Sequence, residues 1–235
     1  MQLSERANPR LFRSRSLTVV RRVFNAALSL AAFAALIASM PLPLVGAAKA
    51  QNATAALAAK PASLPDMALG PVKASVTIVE YASMSCPHCA AFEENVFPML
   101  RSKYIDTGKV HFVFREFPLD IKAAVISMLA RCIASDDAGK FFDAIETLFK
   151  QQDALMTQTK ENLMLIGKQA GMSEQAVEAC VKNQGVLDKL SADKKFAYEV
   201  LKVNATPTFF VNGEMLKGSM SFEELDQKIR SLLKK

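Results

Sequence analysis

Residues 76–98 read VTIVEYASMSCPHCAAFEENVFP, a β-branched run and a helix start joined at a pair of closely spaced cysteines. Val76–Tyr81 is rich in β-branched side chains and follows the turn signals Gly70 and Pro71, so it reads as a strand. A helix is expected from Cys86 to Tyr104. Pro87 suits its first turn, where the missing N–H would have no partner anyway, and Phe92, Val96 and Leu100 recur on one face. Pro98 is the expected kink.

Working outward, Val110–Glu116 (VHFVFRE) is a second strand, entered through the Thr107-Gly108 turn. From 120 to 195 the pattern is helical only. Candidate helices are 121–135, 140–151, 160–170, 174–183 and 187–202, the last running past the block, with Gly139, Gly171 and Gly185 as expected breaks. Strand signals return at Thr208–Val211. Asn212-Gly213 then marks a tight hairpin, Met215-Leu216 the returning strand, and Ser221-Phe-Glu-Glu a capping box that opens a last helix over 222–233. The order is β-α-β, a helical block, then α-β-β-α. This describes a short α/β unit with an all-helical insertion, whose two flanks must pack together because neither could bury a core alone.

Four consecutive residues, Cys86-Pro87-His88-Cys89, carry the chemistry. A C-x-x-C pair fits either half a zinc site or a redox pair. Structural zinc needs four ligands, whereas the other cysteines, Cys132 and Cys180, stand alone and the other histidine, His111, lies within a strand. A structural disulfide across so small a loop would stabilise little. The redox reading has a mechanism: a helix N-terminus offers unpaired amides and a positive dipole end to a thiolate. Cys86 is then the exposed nucleophile and Cys89, one turn in, the shielded partner. His88, by hydrogen bond or positive charge, further favours the Cys86 anion. Stabilising the reduced form makes the disulfide a stronger oxidant, by roughly 1.4 kcal/mol for each pKa unit.

Charge supplies the destination. The formal net charge of +6 lies wholly in residues 1–50, and the remaining 185 residues carry 22 basic and 22 acidic side chains. A basic tail before a neutral body speaks against a nucleic-acid partner. The basic run ends at Arg21-Arg22, an uncharged stretch follows from Val23 to Ala48, Pro41 and Pro43 break it, and Ala48-Lys49-Ala50 has the small-x-small form of a cleavage site. Residues 1–50 are therefore expected to be an export signal cut after Ala50, with an uncleaved membrane anchor as the alternative. Arg21-Arg22-Val-Phe resembles a twin-arginine signal, but Val20 stands where Ser or Thr is expected, which favours the ordinary secretory route. Residues 51–65, Ala-rich with two prolines, read as a flexible leader.

The segments EYASMSCPHCAAFEENVFP and VNATPTFFVNG together resemble the DsbA family of exported thiol-disulfide oxidoreductases, from about Asp66 to the C-terminus. C-P-H-C is that family's active-site sequence. The resemblance implies a thioredoxin-like domain, 66–119 and 196–235, interrupted by a helical insertion domain, 120–195. It implies that Cys86, Cys89, His88 and Pro87 form the active site, and that Thr206-Pro207 is a cis-proline loop whose Thr206 backbone meets an extended substrate. Glu80 matches an acid beneath the site that tunes Cys89 and moves its proton; an exposed strand glutamate is the alternative. Cys132 and Cys180 would pair in the helical insertion, as in a subset of relatives, or remain buried free thiols. The implied activity is dithiol oxidation of unfolded or reduced secreted proteins in a periplasm, with reoxidation by a membrane partner of DsbB type and no cofactor. Where DsbA proper has valine, Thr206 is the residue seen in several isomerases, so isomerase or reductase work is the alternative. A module holding copper(I) between Cys86 and Cys89 is the more remote one. Phe141-Phe142 and Phe209-Phe210 are expected in the core, with Met84 there or on an adaptable surface beside the site.

Overall fold

A computed structural model describes residues 62–234. The expected export signal, its cleavage after Ala50, and residues 51–61 of the leader lie outside the described residues. Among the described residues no helix is long and apolar enough to cross a membrane.

The chain runs β1 (Met67–Leu69), β2 (Val76–Ala82), α1 (Pro87–Asn95), α2 (Phe97–Leu100), a π-helical turn (Arg101–Ile105), and β3 (Val110–Glu116). Six helices follow: α3 (Ile121–Ala134), α4 (Ala138–Lys150), α5 (Gln152–Thr157), α6 (Thr159–Gln169), α7 (Glu174–Val181) and α8 (Gln184–Glu199). The chain closes with β4 (Thr208–Val211), β5 (Glu214–Lys217) and α9 (Phe222–Leu233). The five strands form one mixed sheet in the order β1-β3-β2-β4-β5, with β2 and β3 parallel and the other pairs antiparallel. This is the α/β architecture with a helical insertion that the sequence implied.

Strand periodicity sorts the sheet into two faces. Val76, Ile78, Phe112, Phe114, Phe209 and Val211 enter the main core with the helices, while Val79, Tyr81, Val113 and Phe210 pack on the opposite side with Ala197, Leu201 and Val203. The helical insertion shares the main core. Phe142 of α4 stacks on Phe97 with ring centroids 5.7 Å apart, and Phe141 meets Phe114 edge-on at 5.6 Å. Two adjacent aromatic residues therefore tie the insertion to the sheet through buried area that neither part could cover alone.

Several local expectations change. The single helix over 86–104 is divided at Val96, which is the C-cap of α1 and the N-cap of α2, and Pro98 sits in the first turn of α2. A proline there has no N–H to continue the ladder, so the chain restarts. Gly139 and Gly185 fall inside first helical turns instead of between helices, because Asp137 and Asn183 cap α4 and α8 two residues earlier. Gly171, with φ +83°, does end a helix. Helix α5 and strand β1 were not foreseen; each is too short for a periodic signal. The end of the leader is pinned: Ser63 and Leu64 donate their N–H groups to Asp193 at 2.6 and 3.2 Å, and Leu64 is buried beside Met128, Cys180 and Leu190. Met84 is buried too, which excludes it from any adaptable surface.

Candidate active site

Cys86 is the N-cap of α1, with extended backbone and Pro87 as the first helical residue. No side chain caps this helix, so its first amides remain available to an anion. The Cys86 carbonyl accepts from the N–H groups of Cys89 (3.1 Å) and Ala90 (3.2 Å), which sets the cysteine loop as the first turn. Both thiols are free in the structure, and both are buried, at 4% exposure for Cys86 and 1% for Cys89. The expected exposed nucleophile is thus largely covered.

The cover is the Thr206-Pro207 loop. Its peptide bond is cis, both residues are buried, and the Cys86 thiol donates to the Thr206 carbonyl at 3.2 Å. Antiparallel pairing of β2 with β4, Tyr81 opposite Thr208, brings the loop over the helix start. From α5, the buried Gln152 donates to the carbonyls of Met84 (2.9 Å) and Cys86 (3.1 Å). This satisfies two backbone acceptors that burial would otherwise leave costly. Ser83 accepts from the N–H of Leu119, and Leu119 and Ile121 are exposed apolar side chains beside this rim.

The electrostatics of the two sulfurs diverge. The hydrogen bond that Cys89 gives Cys86 outweighs the cost of burial; with further donors from the Thr206 side chain and the N–H groups of Cys89 and His88, it holds the Cys86 thiol down to about 5. Burial pushes Cys89 far up, reinforced by the same sulfur–sulfur hydrogen bond and by the negative charges of Glu80 and Cys86. The result is a thiolate next to a persistent thiol. The His88 side chain is exposed, and its contribution to Cys86 comes through its backbone N–H. The sequence had placed that contribution in the imidazole.

Glu80 is not an exposed strand residue. It continues the row Val76, Ile78, Glu80 on the main-core face, is 1% exposed, and its Oε2 has no hydrogen-bond partner. Burial, then repulsion from Glu93 and Cys86, pushes its carboxyl well above the usual range. Glu93 was missed by the sequence reading. It lies four residues beyond Cys89 and so on the same face of α1, is 5% exposed, and is pushed up to about 8 by burial and by Glu146. The i, i+4 spacing could have found it. Gln152 was also missed, and no local signal announces it.

Cys132 and Cys180 stand apart from this centre. They are joined in the structure, with Cα atoms 6.3 Å apart, linking α3 to α7. Their pairing leaves no second pair of thiolates to complete a zinc site with Cys86 and Cys89.

Comparison with known proteins agrees with this geometry. The family model described as thioredoxin matches residues 62–231. A putative protein-disulfide oxidoreductase of Rickettsia typhi is 37% identical over 150 residues, 63% of this chain and 55% of that protein. The chain therefore spans little more than half the length of that curated relative. Disulfide bond formation protein D of Bacillus subtilis is 26% identical over 196 residues, covering 79% of this chain and 85% of the relative. Among solved structures, Wolbachia pipientis alpha-DsbA1 is 30% identical, with a TM-score of 0.65 over 73% of this chain and 92% of that one. The family model covers most of the chain, the solved relative is similar over nearly its whole length, and the chain belongs to the DsbA family of thioredoxin-fold proteins.

Proposed function

We propose that this protein is a thiol-disulfide oxidoreductase that donates a Cys86–Cys89 disulfide to reduced proteins in an exported compartment. The observation that carries the reading is the asymmetry of the pair: a Cys86 thiolate held down to about 5 beside a Cys89 thiol pushed upward. A stabilised thiolate favours the reduced enzyme, so the disulfide accepts electrons readily. A substrate thiolate attacks the Cys86 sulfur, the electron pair of the enzyme S–S bond leaves on Cys89, and Cys89 takes up a proton. A second substrate thiolate then attacks the substrate sulfur of the mixed disulfide and expels Cys86 as its stable thiolate. Glu80, buried beneath the pair with its carboxyl pushed well above the usual range by burial, serves as the acid and base for Cys89. The Thr206-Pro207 loop, with exposed Leu119 and Ile121 beside the rim, offers an extended chain a polar backbone edge and an apolar rest.

Export rests on the sequence of residues 1–50: a basic run, an uncharged stretch and Ala48-Lys49-Ala50. A periplasm is the destination this implies, unfolded or reduced secreted proteins are the substrates, and a membrane partner of DsbB type is the reoxidant. The relatives' printed names, protein-disulfide oxidoreductase and disulfide bond formation protein, support the same chemistry.

One observation favours isomerase or reductase work instead. The bond from the Cys86 thiol to the Thr206 carbonyl can form only while the sulfur is protonated, so it works against the thiolate. The two readings separate when the oxidised protein is offered a reduced model protein and the reduced protein a scrambled one. Faster disulfide formation than reshuffling supports the oxidase; the reverse order assigns the isomerase.

A further inference from the structure

We infer that Gln152 is a positioning residue for the exchange reaction, the point at which the helical insertion holds the backbone that carries Cys86. The inference deepens the exchange chemistry proposed above and rests on it. Gln152 lies on α5, is buried, and its Nε2 donates to the carbonyls of Met84 at 2.9 Å and Cys86 at 3.1 Å. A primary amide has two N–H donors. Each goes to one of the two carbonyls that flank Ser85, so the amide spans the residue directly before the nucleophile.

The two carbonyls depend on Gln152 unequally. The Cys86 carbonyl also accepts from the N–H groups of Cys89 and Ala90, which would keep it in the helix start without the glutamine. The Met84 carbonyl receives no other donor among the described residues. A buried acceptor left alone is costly, so without the amide this carbonyl must turn toward another donor. The Cys86 N–H donates to the Ser83 carbonyl at 3.0 Å and closes residues 83–86 into a turn, whose central peptide carries the Met84 carbonyl. Rotation of the central peptide is what separates one turn type from another. Gln152 therefore selects the turn that delivers Cys86 to the N-cap of α1. The start of the turn is tied as well, because the Ser83 hydroxyl accepts from the N–H of Leu119 at 3.2 Å.

The thiolate needs that placement. Its stabilising partners converge from three directions: the Cys89 thiol, the Thr206 loop, and the N–H groups of Cys89 and His88. Hydrogen bonds weaken steeply as distance and angle depart from ideal. A sulfur shifted out of that convergence makes a costlier thiolate, a less oxidising disulfide and a poorer leaving group from a mixed disulfide. The insertion thus acts on the sulfur through the backbone.

The test compares the purified wild-type protein with Gln152→Met, which has about the same reach, no charge and no donor. Two quantities are read: the pH midpoint of Cys86 alkylation in the reduced protein, and the equilibrium constant against reduced and oxidised glutathione at neutral pH. Loss of the amide is expected to raise the midpoint from about 5 to about 6. It is expected to move the equilibrium roughly 10-fold toward the Cys86–Cys89 disulfide. Should Gln152→Met fail to fold, Gln152→Asn, the same amide drawn back by one methylene, is read in its place with the same directions expected. Earlier melting alone is no support, since packing would produce it too. Gln152 variants with both quantities unchanged, whatever their melting temperature, overturn the inference and leave the exchange reading intact. A wild-type protein that forms no disulfide from oxidised glutathione removes the exchange reading, and the inference with it.

Discussion

The Cys86 sulfur lies 3.2 Å from the carbonyl oxygen of Thr206, 120 positions away in the chain. The contact exists because β2 and β4 are antiparallel neighbours, so the loop after one strand and the loop before the other meet at one end of the sheet. The site is therefore a product of sheet topology, and the roles of its two sulfurs follow from where each sits beneath that loop.

Removing the sulfurs one at a time separates those roles. Cys86→Ser is expected to abolish exchange, since no electrophilic sulfur remains under Thr206. Cys89→Ser is expected to accumulate a mixed disulfide through Cys86, because the resolving thiol is gone. Mass spectrometry of both variants after exposure to a substrate that carries a disulfide distinguishes the two outcomes.

The Cys86 thiol also sets a pH dependence of stability. Its pKa in the folded protein is lowered to about 5, against about 8.5 in an unfolded chain. Its contribution is thus fully present above the unfolded value and is lost as pH falls through 5. At pH 7 it amounts to something on the order of 3 kcal/mol in the reduced protein. The disulfide form has no such titration. Urea unfolding of the two redox forms is expected to show the reduced form gaining on the oxidised one from pH 5 upward. A difference that does not move between pH 4 and pH 8 would count against the lowered thiol.

The bridge between Cys132 and Cys180 spans a sequence separation of 48 and lies among Leu64, Met128 and Leu190. Chain-entropy arguments give it up to about 4 kcal/mol. The double Cys→Ser variant should melt earlier, while its Cys86 alkylation profile stays where it was, because the bridge touches none of the groups around Cys86. A melting temperature equal to that of the parent would contradict a structural role.

Much of this was legible in the sequence, for identifiable reasons. Strands β2, β3 and β4, the Asn212-Gly213 hairpin and the capping box at Ser221 are encoded locally, and they appear where the pattern placed them. Glu80 was legible in principle: the alternation of Val76, Ile78 and Glu80 puts it on the inner face. A charged residue in an otherwise apolar row looks like a strand edge until the helix above it is known. The division of the first helix at Val96 was hidden because Phe92, Val96 and Leu100 keep their spacing across the break. Gln152 reaches the Cys86 carbonyl across 66 residues from a six-residue helix, a relationship that no local pattern encodes. The burial of Cys86 is of the same kind, since its cover comes from the far flank of the insertion.

The central claim is that the folded site holds Cys86 as a thiolate, and the rate of alkylation of the reduced protein as a function of pH tests it most directly. Cys89, buried and pushed upward, does not compete. The account predicts a single titration with a midpoint near 5. A midpoint near the ordinary thiol value of about 8.5 would contradict it, and with it the oxidising character proposed for the Cys86–Cys89 pair.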